Sequence, residues 1–298
     1  MHSLNVLVRG LLASLAFSST ALGAGLKQIT NWGDNPSQIS AMYMYVPDKV
    51  AAKPAVILAL HPCGGTAQIY YQMTKLPSYA DKLGFILIYP TTTHETNCWD
   101  CHSNKTLTHN GGGDSQGLVA MVNYALKTYN GDPTKVFAVG GSSGAMMTNV
   151  LAATYPDVFN AGASWSGVPA GCWYGSPIST PMSSDLSCPM ARKTYTAQQW
   201  GDIARGCYPG YNGTRTRMVV THGTADTAVL YPLFKQQLDQ WSNVLGVEWT
   251  KNLTGTPQTG WTEEVFGDGT QLLGLSVQGG GHIPPFQEEL VLKFFGLM

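Results

Sequence analysis

With 298 residues, 44% of them apolar and 12% charged, the chain has room for one large domain or two small ones and the makeup of a compact globule, not of a disordered segment or a coiled coil. A formal net charge of −1 gives no field for steering a polyanion, so no nucleic-acid partner is expected. Low charge with 34 Gly and 17 Pro is a loop-rich, extracellular style of sequence, compatible with a neutral substrate.

The first segment reads as an address. Arg9 precedes the apolar run Gly10–Phe17, and Ala21-Leu22-Gly23 supplies small residues at a cleavage site. That run is shorter than the ~20 residues that span a bilayer. Residues 1–23 are therefore expected to be a signal peptide, and residues 24–298 a secreted, extracellular chain with no membrane association.

Strand-like runs follow at intervals: Ser40–Val46, Ala55–Leu60, Phe85–Tyr89, Lys135–Gly140, Ala161–Trp165, Arg217–Thr221 and Leu272–Val277. Continuous apolar runs of this kind are buried on both faces, which predicts a mostly parallel sheet covered by helices. Asp114 is a candidate N-cap, followed at helical spacing by Leu118, Met121, Val122, Ala125, Leu126 and Tyr129. Ser143–Tyr155 is a second helix, stopped by Pro156. Phe234, Leu238, Trp241 and Leu245 mark a third, and Pro285 at the first helical position opens a fourth through Leu290, Val291, Phe294 and Phe295. Alternation of strand and helix implies right-handed crossovers in one doubly wound α/β domain. No repeat or linker divides residues 24–298. The stretch Gly171–Gly213 lacks periodicity and reads as an insertion over the carboxyl edge of the sheet.

The strongest chemical signal is Gly140-Gly141-Ser142-Ser143-Gly144, a G-x-S-x-G directly after a strand and directly before a helix. A serine there sits on a sharp turn at the sheet edge, where the helix N-terminus favours developing negative charge. This makes Ser142 the expected nucleophile; Ser143, the rival, lacks the flanking glycine spacing. The setting is that of a single α/β-hydrolase domain, whose acid and histidine follow the serine in that order. His282, after Gly279-Gly280-Gly281 and between the last strand and last helix, is the expected general base. Asp226, closing His222-Gly223-Thr224-Ala225-Asp226 at the end of a strand, is the expected acid. Asp185, Asp202 and Asp239 are placed less well, and His222 reads as structural.

The oxyanion formed in acyl transfer needs two backbone N–H donors. One is expected from Ser143, the residue after the nucleophile. The other is expected from Cys63 in His61-Pro62-Cys63-Gly64-Gly65, with His61 orienting the loop. Six cysteines allow 15 pairings. Cys98-Trp99-Asp100-Cys101 has the spacing of a redox or zinc motif, but no second such pair exists. An oxidising compartment favours disulfides, so no metal is expected. Sequons occur at Asn104, Asn212 and Asn252 as glycosylation candidates.

His61–Gly65 (HPCGG), Asn97–Asp100 (NCWD), Gly111–Gly117 (GGGDSQG), Gly140–Asn149 (GGSSGAMMTN), His222–Asp226 (HGTAD) and Val291–Gly296 (VLKFFG) occur in this order. Together they resemble fungal acetylxylan esterases of the first carbohydrate esterase family, relatives of feruloyl esterases and polyhydroxybutyrate depolymerase-like enzymes, over essentially the whole mature chain. The resemblance implies hydrolysis of acetyl esters on xylan through Ser142, His282 and Asp226, with acetylated xylan or a related plant cell-wall polysaccharide as partner and no cofactor. It also implies disulfides joining Cys63 to Cys98 and Cys172 to Cys188. Cys101 and Cys207 are additions to that pattern, and a third bridge between them is an expectation. The runner-up activity is feruloyl ester hydrolysis; a catalytically dead polysaccharide binder is disfavoured by the complete set of three residues. A monomer is expected. Trp99, and less directly Trp173 and Trp261, are candidate platforms for sugar rings.

Overall fold

The computed structural model describes residues 25–180 and 182–298; the expected signal peptide lies outside the described residues. Ten strands form one sheet: β1 (Leu26–Ile29), β2 (Ile39–Tyr45), β3 (Val56–Leu60), β4 (Ile86–Thr92), β5 (Val136–Gly141), β6 (Ala161–Trp165), β7 (Arg217–Gly223), β8 (Trp249–Thr254), β9 (Trp261–Phe266) and β10 (Leu272–Val277). Their order is β1-β2-β4-β3-β5-β6-β7-β10-β9-β8. Pairing is parallel from β4 through to β10. It turns antiparallel at both margins. The protein is thus a single α/β domain with a mostly parallel sheet.

Burial on both faces follows residue by residue. Val56, Leu58 and Leu60 of β3 enter one core while Ile57 and Ala59 enter the other. The first core is covered by α3 (Asp114–Tyr129), α4 (Ser143–Thr154), α5 (Ala197–Gly206) and α6 (Pro232–Leu245), which supply Leu118, Met147, Trp200 and Trp241 to it. The second lies under α1 (Ala67–Met73), α2 (Leu76–Leu83) and α7 (Glu288–Phe294), with Tyr70, Leu76 and Leu292. Fully burying a large apolar side chain contributes about 1.5–3 kcal/mol, so these two layers dominate the fold's stability.

Three local readings need correction. The last helix begins at Glu288, and Pro285 stands before it. Pro285 holds its predecessor out of the helical region, and Phe286 turns inward to pack its ring 4.9 Å from Trp165 and 5.9 Å from Tyr70. Asp114 is the first helical residue, with Gly113 as the cap, because the buried Asp114 carboxylate turns inward to accept from the Asp100 N–H. The insertion Gly171–Gly213 is also not uniformly a cover over the strand ends: it contains α5, which Thr196 and Gln199 start with a reciprocal capping box and which packs against α6.

Candidate active site

Ser142 sits between β5 and α4 with φ 52° and ψ −120°, a conformation costly for a residue with a side chain. Its N–H is held by Trp165 O at 2.8 Å, and α4 begins at the next residue. The flanking glycines explain why the turn closes. A Cβ on Gly140 would collide with Gly144 O, and one on Gly144 would collide with Leu60 O at the end of β3. The elbow is therefore pressed against the neighbouring strand, and Ser142 as a residue is only slightly exposed, at 7%.

Three loops at the strand ends bring the expected residues together. His282 Nε2 lies 2.8 Å from Ser142 Oγ, and His282 Nδ1 lies 2.8 Å from Asp226 Oδ2. Asp226 also accepts from Ala228 N–H (2.9 Å) and Val229 N–H (3.0 Å) through Oδ1. His222 is fully buried; its Nε2 donates to Val229 O at 2.8 Å and lies 3.2 Å from Asp226 Oδ2. Burial by itself pushes the Asp226 carboxyl up. Hydrogen bonds from His222, His282 and Val229 N–H outweigh it and hold the carboxyl well below the usual carboxylate range. A carboxylate fixed in the charged form can orient an imidazole and stabilise an imidazolium.

Sequence reasoning missed the groups that hold the His282 loop. Ser166 Oγ accepts the Ile283 N–H at 3.2 Å, and Thr224 Oγ1 accepts the Gly279 N–H at 2.8 Å. Ala225 N–H donates to Gly280 O at 2.8 Å, and a Cβ on Gly223 would collide with Gly280 O and Gly281 O. Thr224 and Gly223 were within the HGTAD run but had no signal of partnership with residues 50 and more positions away; Ser166 had no signal at all.

Cys63 faces the same space as Ser142 and His282. In its loop, Gly64 N–H donates to Thr96 O (2.7 Å) and Gly65 N–H to Pro62 O (3.0 Å), whereas the Cys63 N–H has no partner among the described residues. The Ser143 N–H is one of the free amides that start α4. Both expected oxyanion donors are thus unengaged. The Ser143 hydroxyl is engaged, since it accepts the Trp99 N–H at 2.8 Å in a fully buried position. His61 is buried and neutral: burial pulls its imidazole down to about 4, against a 2.8 Å bond from Nδ1 to Pro62 O.

Disulfides join Cys63 to Cys98 and Cys172 to Cys188. Cys101 and Cys207 are buried free thiols, so the expected third bridge is not made. Trp99 must also be corrected. It is fully buried, its Nε1 donates to His61 O at 2.9 Å, and its ring lies 4.8 Å from the His61 ring. It braces the Cys63 loop from behind and offers no face to a sugar. Trp173 and Trp261 are 1% and 3% exposed and are not open platforms either. Asn104, Asn212 and Asn252 are all exposed.

Beside Ser142 lies a narrow recess of about 20 Å³, walled by Met146, Trp173, Pro189, Ala228 and Val229. A hydroxyl hydrogen-bonded to an imidazole, an imidazole on a carboxylate, two free amides and an adjoining apolar recess can together perform acyl transfer.

Residues 38–265 match the family described as esterase PHB depolymerase. The chain is 51% identical over 293 residues to feruloyl esterase B of Neurospora crassa, covering 98% of this chain and 100% of that one. It is 42% identical over 275 residues to acetylxylan esterase A of Emericella nidulans, covering 91% and 89%. Among solved structures, an acetyl xylan esterase from Aspergillus awamori superimposes with a TM-score of 0.87 at 38% identity, over 92% of this chain and 100% of that one.

Proposed function

This chain belongs to the esterase PHB depolymerase family and is a carboxylic ester hydrolase, and from that premise we propose that it is secreted and cleaves ester substituents from plant cell-wall xylan, with Ser142 as nucleophile, His282 as general base and Asp226 as the acid that orients it. The observation that carries this reading is the unbroken line from Ser142 Oγ through His282 to Asp226, with 2.8 Å at each step. As Ser142 attacks the ester carbonyl, His282 takes its proton, and the oxyanion rests on the Cys63 and Ser143 amides. Removing one such donor typically costs about 3–4 kcal/mol of transition-state stabilisation. The sugar hydroxyl leaves with the proton from His282, and water, activated by the same imidazole, frees the acid. Side chains and amides of one chain suffice, so a monomer acts without cofactor or metal.

The acyl group has two readings, each with its own observation. The narrow recess beside Ser142 favours acetate, a small acyl group that leaves Met146 and Trp173 where they stand. The relatives favour ferulate, since identity to proteins named feruloyl esterase B reaches 51% against 42% for those named acetylxylan esterase A. Met146 is an adaptable side chain, and its rotation is the step a feruloyl ring would require. Release of acetate from acetylated xylan, measured beside hydrolysis of methyl ferulate, decides between them. Acetate release with inert methyl ferulate supports the first, the reverse supports the second, and inactivity on both contradicts the cell-wall reading.

A further inference from the structure

Trp173 walls the recess over Ser142, while its neighbour Tyr174 walls a separate cavity of about 300 Å³. That second cavity is bounded by Asn104, Leu107, Tyr174, Lys193, Tyr195 and Ile203. Tyr174 is 57% exposed and Tyr195 41% exposed, although each is a large aromatic side chain. Tyr195 packs edge-on against Trp200, ring centroids 4.8 Å apart. Lys193, the cation on this wall, is engaged: Nζ donates to Cys172 O (2.8 Å) and Tyr174 O (3.2 Å) and lies 3.9 Å from Asp185. The cavity therefore presents aromatic faces and neutral polar edges with its charge already compensated. That is the chemistry of a surface for an uncharged sugar.

Asn104 is exposed on this wall and heads the sequon Asn104-Lys105-Thr106. Asn252 stands differently, on the fully exposed strand β8, where its Oδ1 accepts from Trp249 Nε1 at 2.8 Å. We propose that Asn104 is glycosylated and that the first sugars of its glycan lie in this cavity against Tyr174 and Tyr195. The proposal rests on passage through the secretory route, as inferred above. The Asn104 side-chain nitrogen forms a C–N bond to the anomeric carbon of an N-acetylglucosamine, displacing the lipid diphosphate that carried the oligosaccharide. The amide proton passes to solvent, and nothing is oxidised or reduced. Timing follows from Thr106, whose buried hydroxyl donates to Asp100 Oδ2 at 2.8 Å and accepts from Asp114 N–H at 3.0 Å. Transfer to Asn104 must precede closure of that loop. A glycan here leaves no room for a polysaccharide strand, which makes a xylan chain the competing occupant.

The test uses protein secreted by a eukaryotic host. Peptide mass spectrometry reads occupancy at Asn104, Asn212 and Asn252, and acetylation by N-acetylimidazole reads the reactivity of Tyr174 and Tyr195. Asn104 is expected to carry sugar, with both tyrosines severalfold less reactive than in Asn104→Gln and unchanged in Asn252→Gln. Enzymatic removal of the glycan from folded protein should restore their reactivity, which covers a failure of the variant to fold. Equal reactivity with and without the glycan overturns the proposal, as does protection of the tyrosines by soluble xylo-oligosaccharides in the glycosylated protein. A bare Asn104 overturns the proposal alone, with or without sugar at Asn212 or Asn252; retention of the full chain inside the host overturns it together with secretion.

Discussion

Asp226 shows how a single carboxylate is prepared for its work. Backbone N–H groups of Ala228 and Val229 fill one oxygen, and His282 and His222 share the other. Because its folded-state pKa lies below the unfolded value, the stability it adds is complete above the ordinary carboxylate range and is lost as pH falls below that range. Asp226→Asn is therefore expected to cost about 2 kcal/mol at pH 7, the scale of a charged hydrogen bond, and markedly less near pH 3. Denaturant unfolding of both proteins at the two pH values measures it, and an equal cost at both would contradict the assignment of charge. Asp226 and His282 were legible because each follows an apolar strand on a loop rich in small residues. His222 was also legible as structural, whereas Ser166 was not, since its partner Ile283 is brought close only by the finished sheet.

At the scale of elements, the Cys63 loop is held by the segment around Cys98–Trp99. The disulfide Cys63–Cys98, the Trp99 Nε1 bond to His61 O and the Trp99 N–H bond to Ser143 Oγ tie the expected oxyanion loop to the first residue of α4. Without the disulfide the Cys63 amide is set less firmly, and misplacing one oxyanion donor costs about 10²–10³ in kcat at the limit. The double variant Cys63→Ser/Cys98→Ser is expected to lose kcat while KM changes little. Steady-state kinetics on a small acetyl ester measures this, and an unchanged kcat would show that the loop holds its shape without the bridge. The error over Trp99 belongs to this scale. A tryptophan next to a cysteine near a cleft looks like a platform in sequence, but two hydrogen bonds and the His61 ring turn it inward. The strand β8 escaped notice for the opposite reason: all six of its residues are exposed, so no apolar run marks it.

Across the whole molecule, the parallel centre of the sheet was legible, because strands covered on both faces must be apolar throughout. Of its antiparallel margins β2 was legible, as Ser40–Val46, whereas β1, β8 and β9 were not, because their mixed sequences form no continuous apolar run. The residues named for chemistry come from four distant stretches, at 63, 142–143, 226 and 282, and the sheet order places β3, β5 and β7 so that their following loops meet. The acyl recess is a property of the fold at this scale, built jointly by α4, the insertion and the loop after β7. No run of adjacent residues encodes its volume, which is why acyl preference is the least legible feature. The central claim is the identity of the nucleophile, and the most direct measurement is stoichiometric labelling with a serine-directed phosphonate followed by peptide mapping. One adduct per chain on Ser142, with esterase activity lost in proportion and no labelling of Ser142→Ala, is the predicted result. An adduct on another residue, or undiminished activity in Ser142→Ala, would contradict it.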